Sequence, residues 1–229
     1  MTGVQTCALP IYAGHVVTGD VLMTELWDGN APRSARTTLQ TYILHIRKVF
    51  AHATGLSLRG VADELLATHA DGYRLTRRAG DSDLFRFDAL TASASSAMTN
   101  QRFAEAGRMW QGALAQWSGS AFGGVAPGPA LESEIRRLEE ARLRAMTLRI
   151  EADLRVGHAD RVVSELASLT RRHPFNESFH AQYMRALSQT GRRVEALRAY
   201  QELRSILITE LGLEPGVEIR EVHQSILAA

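Results

Sequence analysis

The chain has 229 residues, 45% of them hydrophobic and 22% charged, with 26 basic and 25 acidic side chains. This composition can fill a core in one or two domains and excludes a disordered or fibrous chain. A formal net charge of +1 does not by itself point to a polyanion partner, no run of 18 apolar residues spans a membrane, and the single cysteine, Cys7, rules out an intrachain disulfide and a Cys-based zinc site.

In chain order, MTGVQTCALPIY comes first. It lacks the cationic start and long apolar run of a signal peptide. Back-translated, Thr2 to Ile11 resembles read-through of a sequencing-library adapter, so residues 1–12 are set aside and the fold is read from Ala13. A cytoplasmic location is the default. In HVVTGDVLMTELWDG, Thr18 can cap a helix with Val21, Leu22, Leu26 and Trp27 on one stripe, which Gly29 closes. Asn30-Ala31-Pro32 then leads to RSARTTLQTYILHIRKVF. Leu39, Ile43, Ile46 and Phe50 recur there at helical spacing, and Thr37, Gln40, Thr41, Leu44 and Lys48 lie opposite. Arg33 and Arg36 stand at the entry and Arg47 near the exit. No Asp or Glu occurs from Gly29 to Ala62, a window that holds Arg33, Arg36, Arg47, Lys48 and Arg59. A packed back and a cationic front suit a major-groove reader, and equally an ordinary solvated helix. LLATHADGYRLTRR follows as a hairpin turning at Asp71-Gly72, with Arg74, Arg77 and Arg78 on its second arm. Two helices joined by a tight turn, then a hairpin, make a helix-turn-helix with a wing.

ELWDGNAPRSARTTLQTYILHIRKVF followed by DGYRL resembles the C-terminal two-thirds of an OmpR-type winged helix. More closely, it is similar to the version in bacterial antibiotic regulatory proteins of the AfsR/DnrI/RedD kind. Leu26, Trp27, Pro32, Ser34, Ala35, Thr38, Leu39, Gln40, Tyr42, Arg47, Gly72, Tyr73 and Leu75 carry the match. The resemblance implies that the helix from about Ser34 to Phe50 enters the major groove. Arg33, Ser34, Arg36, Thr37, Thr38, Gln40, Thr41 and Lys48 would then face DNA, with Arg74, Arg77 and Arg78 on the phosphate backbone. Leu44 and His45 depart from the family's small polar residue and arginine, and the segment from Ala53 to Ala62 is longer than the usual link. The family's initial sheet and first helix have no counterpart here. The head is therefore expected to be a truncated winged helix-turn-helix with Leu39 and Ile43 facing water.

From Asp83 onward every sizeable segment has helical period. Leu84, Phe87, Leu90 and Ala94 form one stripe, and Phe103, Ala106, Trp110, Leu114 and Trp117 a second. After a Gly- and Pro-rich loop, a long helix runs from about Leu131 to Val156, ended by Gly157. A 34-residue offset then relates Gly157 to Gly191, Ala152 to Ala186, Val163 to Leu197, Leu166 to Tyr200 and Leu169 to Leu203. GRRVEALRAYQELRSIL follows the second-helix pattern of a tetratricopeptide repeat, with His173-Pro174 at the inter-repeat turn. A Pro-started last helix, with Ile219, Val222 and Ile226, caps the array. DSDLFRF, the Trp117-Ser-Gly stretch, PALESEIRRLEEARLRA and ELGLEPGVEIREVHQSIL resemble the bacterial transcriptional activator domain of the same regulator family.

The fold expected is thus mainly α, with a partial winged helix over residues 13–82 and a tetratricopeptide-like helical array over 83–229. No nucleotide-binding G-x-x-x-x-G-K-[ST], no H-E-x-x-H and no catalytic constellation is present, so no cofactor, metal or enzyme activity is assigned. The resemblance implies a DNA-binding transcriptional activator whose partners are double-stranded DNA, RNA polymerase and a second copy in a homodimer, with no membrane. The alternative is a tetratricopeptide-like interaction scaffold carrying a non-functional DNA-binding remnant.

Overall fold

The computed structural model describes residues 12–76, 82–124 and 126–228. The adapter-like stretch up to Ile11 and the wing arginines Arg77 and Arg78 lie outside the described residues. The order of elements is β1 (Val16–Thr18), α1 (Gly19–Trp27), α2 (Ala35–Thr54), α3 (Leu58–Glu64), β2 (Leu66–His69), β3 (Gly72–Leu75), α4 (Asp83–Thr99), α5 (Phe103–Leu114), α6 (Pro129–Val156), α7 (Ala159–Arg172), α8 (Glu177–Gln189), α9 (Arg193–Leu211) and α10 (Val217–Ala228). The chain packs as two compact units. One comprises the residues up to Phe85 with Trp117–Ala141, the other Arg86–Gln116 with Arg142–Ala229. No described helix is long and apolar enough to cross a membrane.

In the first unit, Thr18 caps α1 as its residue type predicts: its Oγ1 accepts from the Val21 amide at 3.3 Å. Helix α1 ends at Asp28, which takes up a left-handed conformation. The link to the wing, over-long by family standards, contains a helix of its own. Ser57 caps α3 through the Gly60 amide at 3.0 Å, and Val61 is fully buried.

The expectation that Leu39 and Ile43 face water is wrong. They are 5% and 3% exposed, packed with Val17, Leu22, Ile46 and Leu66 and flanked by Leu26, Phe50, Tyr73 and Leu75. The cover is shared by Leu22 of α1, Leu66 of β2 and Val17 of β1, a strand that sequence reading passed over as the run-up to a helix. It pairs antiparallel with β3, Val17 opposite Tyr73, in a three-stranded sheet of order β1-β3-β2. Of the three residues of β1, Val17 points inward and joins the apolar cluster.

The hairpin turn also sits one residue earlier than predicted. His69 pairs with Gly72, leaving Ala70-Asp71 as the turn. Gly72 is needed for space, because a Cβ there would stand 2.1 Å from the Val17 carbonyl oxygen.

Glu25 fastens the start of α6 to α1. It is 6% exposed, and its carboxylate accepts from the amides of Gly128 (2.9 Å), Ala130 (2.9 Å) and Leu131 (3.0 Å). Pro129 between them has no N–H, so one side chain takes every donor from Gly128 to Leu131. Gly128 leaves room for this contact: a Cβ would lie 2.5 Å from the Glu25 carbonyl oxygen.

In the second unit the 34-residue repeat is visible in the backbone. Gly157 and Gly191 both adopt left-handed φ, +87° and +76°. The residues after them repeat one hydrogen bond, His158 to Asp153 and Arg192 to Leu187. Leu166, Leu169, Tyr200 and Leu203 are all buried in one core, which Ile219, Val222 and Ile226 of α10 close. Asn176 caps α8 after the His173-Pro174 turn, its Oδ1 accepting from the Phe179 amide. The tryptophan stripe needs correction. Helix α5 stops at Leu114, so Trp110, 1% exposed, is core, while Trp117 lies beyond the helix and on no face of it.

Two outcomes follow. Glu25→Ala strands three N–H groups, two of them in the first turn of α6. It should cost about 3 kcal/mol, read as faster amide exchange at Gly128, Ala130 and Leu131 while amides of α8 keep their protection. Gly72→Ala should release β1 at a cost of about 2 kcal/mol, read as loss of amide protection at the β1–β3 pairing.

Candidate nucleic-acid interface

Helix α2 divides cleanly into two faces. Ala35, Leu39, Ile43 and Ile46 are buried, while Arg36, Thr37, Gln40, Thr41, Leu44, His45 and Lys48 are exposed. At about 100° per residue, Thr37, Gln40, Thr41, Leu44 and Lys48 fall in one stripe opposite the core. Of the residues predicted to face DNA, the structure brings Thr37, Gln40, Thr41 and Lys48 together on this stripe, and Arg36, also exposed, stands at its edge beside Gln40. Arg33 and Ser34 are exposed just ahead of the helix. Ser34 occupies the N-cap position, yet its side chain makes no capping bond, so the hydroxyl is not used by the helix. Thr38 is half-buried and stands at the edge of the exposed face.

Local hydrogen bonding sets what each group can offer. The Thr41 hydroxyl donates to the Thr37 carbonyl oxygen at 3.0 Å, so its proton is engaged and its oxygen is left as an acceptor. Arg36 and Gln40 also border an open cleft of about 520 Å³, together with Thr18, Asp20, Thr68, His69 and Asp71. One side of the stripe therefore meets the start of α1 and the hairpin turn, and the other is open to solvent.

Arg47 belongs to a different job. Sequence reading set it with the cationic front, but its guanidinium turns to the sheet. Nε and Nη2 donate to the Leu66 carbonyl oxygen at 3.1 and 2.7 Å, and Nη2 also donates to Thr68 Oγ1 at 2.8 Å. It is a bracket between α2 and the first strand of the hairpin. The fixed fork of an arginine suits this task, since two nitrogens can share one carbonyl. Its alignment with the family motif was legible in the sequence; the partner on β2 was not.

Arg74 is exposed on β3, opposite Val16 and Ala67. Its neighbours Tyr73 and Leu75 pack toward the core under α2, so Arg74 stands on the other face of the sheet, away from the stripe. Glu25 is the residue that sequence reasoning missed altogether. Within ELWDG it reads as one polar position of a short helix, and its partners lie more than a hundred residues downstream.

Comparison with known proteins fits this geometry. The family model of the bacterial transcriptional activator domain matches residues 82–227. The regulatory protein DnrI of Streptomyces peucetius is 39% identical over 221 residues, covering 96% of this chain and 81% of DnrI. The regulatory protein AfsR of Streptomyces griseus is 33% identical over 222 residues, 97% of this chain but 22% of AfsR. Among solved structures, Mycobacterium tuberculosis EmbR in complex with a low-affinity phosphopeptide superposes with a TM-score of 0.89 at 32% identity. That match covers 96% of this chain and 57% of the EmbR chain. The chain thus spans most of DnrI but only part of the longer regulators. On the match to the activator-domain family and to DnrI along nearly its whole length, the chain belongs to the bacterial antibiotic regulatory proteins of the AfsR/DnrI/RedD type, DNA-binding transcriptional activators in which a winged helix-turn-helix precedes a helical array.

Proposed function

We propose that residues 13–82 form the DNA-reading head and that residues 83–229 form the activator domain, with α2 as the recognition helix in the major groove. The observation that carries this is the exposed face of α2: Thr37, Gln40, Thr41 and Lys48 in one stripe and Arg36 at its edge all face solvent, in a window from Gly29 to Ala62 without a single carboxylate. Arg36, Thr37, Gln40 and Thr41 read base edges, Gln40 by paired bonds of the kind that suit adenine. Arg33, Ser34 and Lys48 hold phosphates and set register, and Arg77 and Arg78 do so from the wing; Arg74, on the sheet face away from α2, takes no part in these contacts. Thr38, half-buried, supports the helix edge as much as it contacts DNA. The activator domain contacts RNA polymerase and supports a homodimer on direct-repeat operators, in the cytoplasm, at promoters of antibiotic or related secondary-metabolite genes. The burial of Leu39 and Ile43 removes one ground for treating the head as a non-functional remnant in a scaffold protein.

Phosphate and bracket roles separate in a salt titration, measured by fluorescence anisotropy on a duplex that the full chain selects from a randomised pool. Wild-type affinity should fall steeply with salt, and Lys48→Ala should flatten the log–log slope by about 0.9, the share of one phosphate contact. An affinity independent of salt would overturn the reading. Arg47→Ala should weaken binding through a loosened hairpin while leaving that slope unchanged, because its guanidinium is spent on Leu66 and Thr68.

A further inference from the structure

We propose that Leu44 is a specificity-determining residue that reads the C5-methyl group of a thymine in the operator; this rests on α2 being the recognition helix. Leu44 is 43% exposed and takes no part in the apolar cluster beneath the helix. At about 100° per residue it lies within about 40° of Thr37, Gln40 and Lys48, at the middle of the polar stripe. Val49, 65% exposed, makes the contrast: it falls about 140° away from Leu44 around the helix, outside the stripe. Leu44 is an aliphatic side chain in the stripe of Thr37, Gln40, Thr41 and Lys48, on a helix whose sequence window from Gly29 to Ala62 holds arginines and a lysine but no carboxylate, a charge that suits a polyanion. Within the major groove the exposed apolar atom group is the thymine methyl, and aliphatic side chains recognise it by contact. Leu44 has nothing to donate or accept, so its selectivity is for the methyl group alone. Gln40 lies one helical turn earlier, about 6 Å along the axis. The pair is suited to an adenine and a thymine read in neighbouring steps, a preference that a small polar residue at position 44 would not impose.

The experiment uses the full chain and the duplex it selects from a randomised pool, with each thymine replaced in turn by deoxyuridine, which removes only the methyl group. At one thymine of the bound site, wild-type affinity should fall about fourfold, the effect of losing one buried methyl. Leu44→Ala should bind the unmodified duplex about fourfold more weakly, show no further loss with deoxyuridine there, and unfold at the wild-type temperature. Indifference of the wild-type chain to every deoxyuridine, or an equal loss in Leu44→Ala, overturns the assignment. If the slope of affinity against salt persists in that case, Leu44 alone is misassigned. If the chain selects no duplex at all, the recognition-helix reading falls and Leu44 with it.

Discussion

Glu25 is a carboxylate in the last turn of its own helix, where the helix dipole disfavours negative charge, yet it is almost wholly buried. What offsets both penalties is the start of α6, whose dipole has the opposite sign at that point and whose free amides supply three hydrogen bonds. Gly128 and Pro129 are part of the same arrangement. The glycine lets the backbone close on α1, and the proline begins the helix without adding a donor that would need a partner. The first helix of the helix-turn-helix is in this way fixed to a helix that begins a hundred residues later, and α1 and α2 pack over the sheet on that support.

Helix α2 is fixed in the fold by two different means. Leu39, Ile43 and Ile46 fix its rotation through apolar packing against a cluster drawn from α1, β1 and β2. Arg47 then fixes its position along the hairpin through two acceptors on β2. With rotation and position both set, the opposite face needs no internal partners, so Arg36, Gln40 and Lys48 remain available to a ligand. Preorganisation of this kind lowers the ordering cost of binding. Thr41 differs from its neighbours in that its proton is already committed to the helix backbone.

The helical array rests on another principle. Its 34-residue repeat places a left-handed glycine at the end of each first helix, so the chain reverses the same way twice and the same positions are buried each time. Buried small residues such as Ala152, Ala186, Ala196 and Ala199 fit between these close-packed helices. Local chemistry and long-range packing agree here, and periodicity alone was a sufficient guide. The same was not true of Trp117, whose spacing from Trp110 matches a helical stripe although the helix ends before it.

Periodicity, capping residues and the absence of carboxylates near α2 were properties of the sequence by itself, because each depends on neighbours within a few positions. Those local rules determined most of the helices, the presence of the hairpin, the repeat and the polar stripe of α2. Three matters were decided only by the tertiary structure. Leu39 and Ile43 are covered by a cluster drawn from α1, β1 and β2; Gly72 is kept for the close approach of Val17; and Arg47 and Glu25 are bound to the fold rather than presented to a ligand. The reason is common to all three. Whether a side chain or strand is spent internally or left free depends on a partner distant in the chain, and no local pattern of residues records where that partner comes to lie.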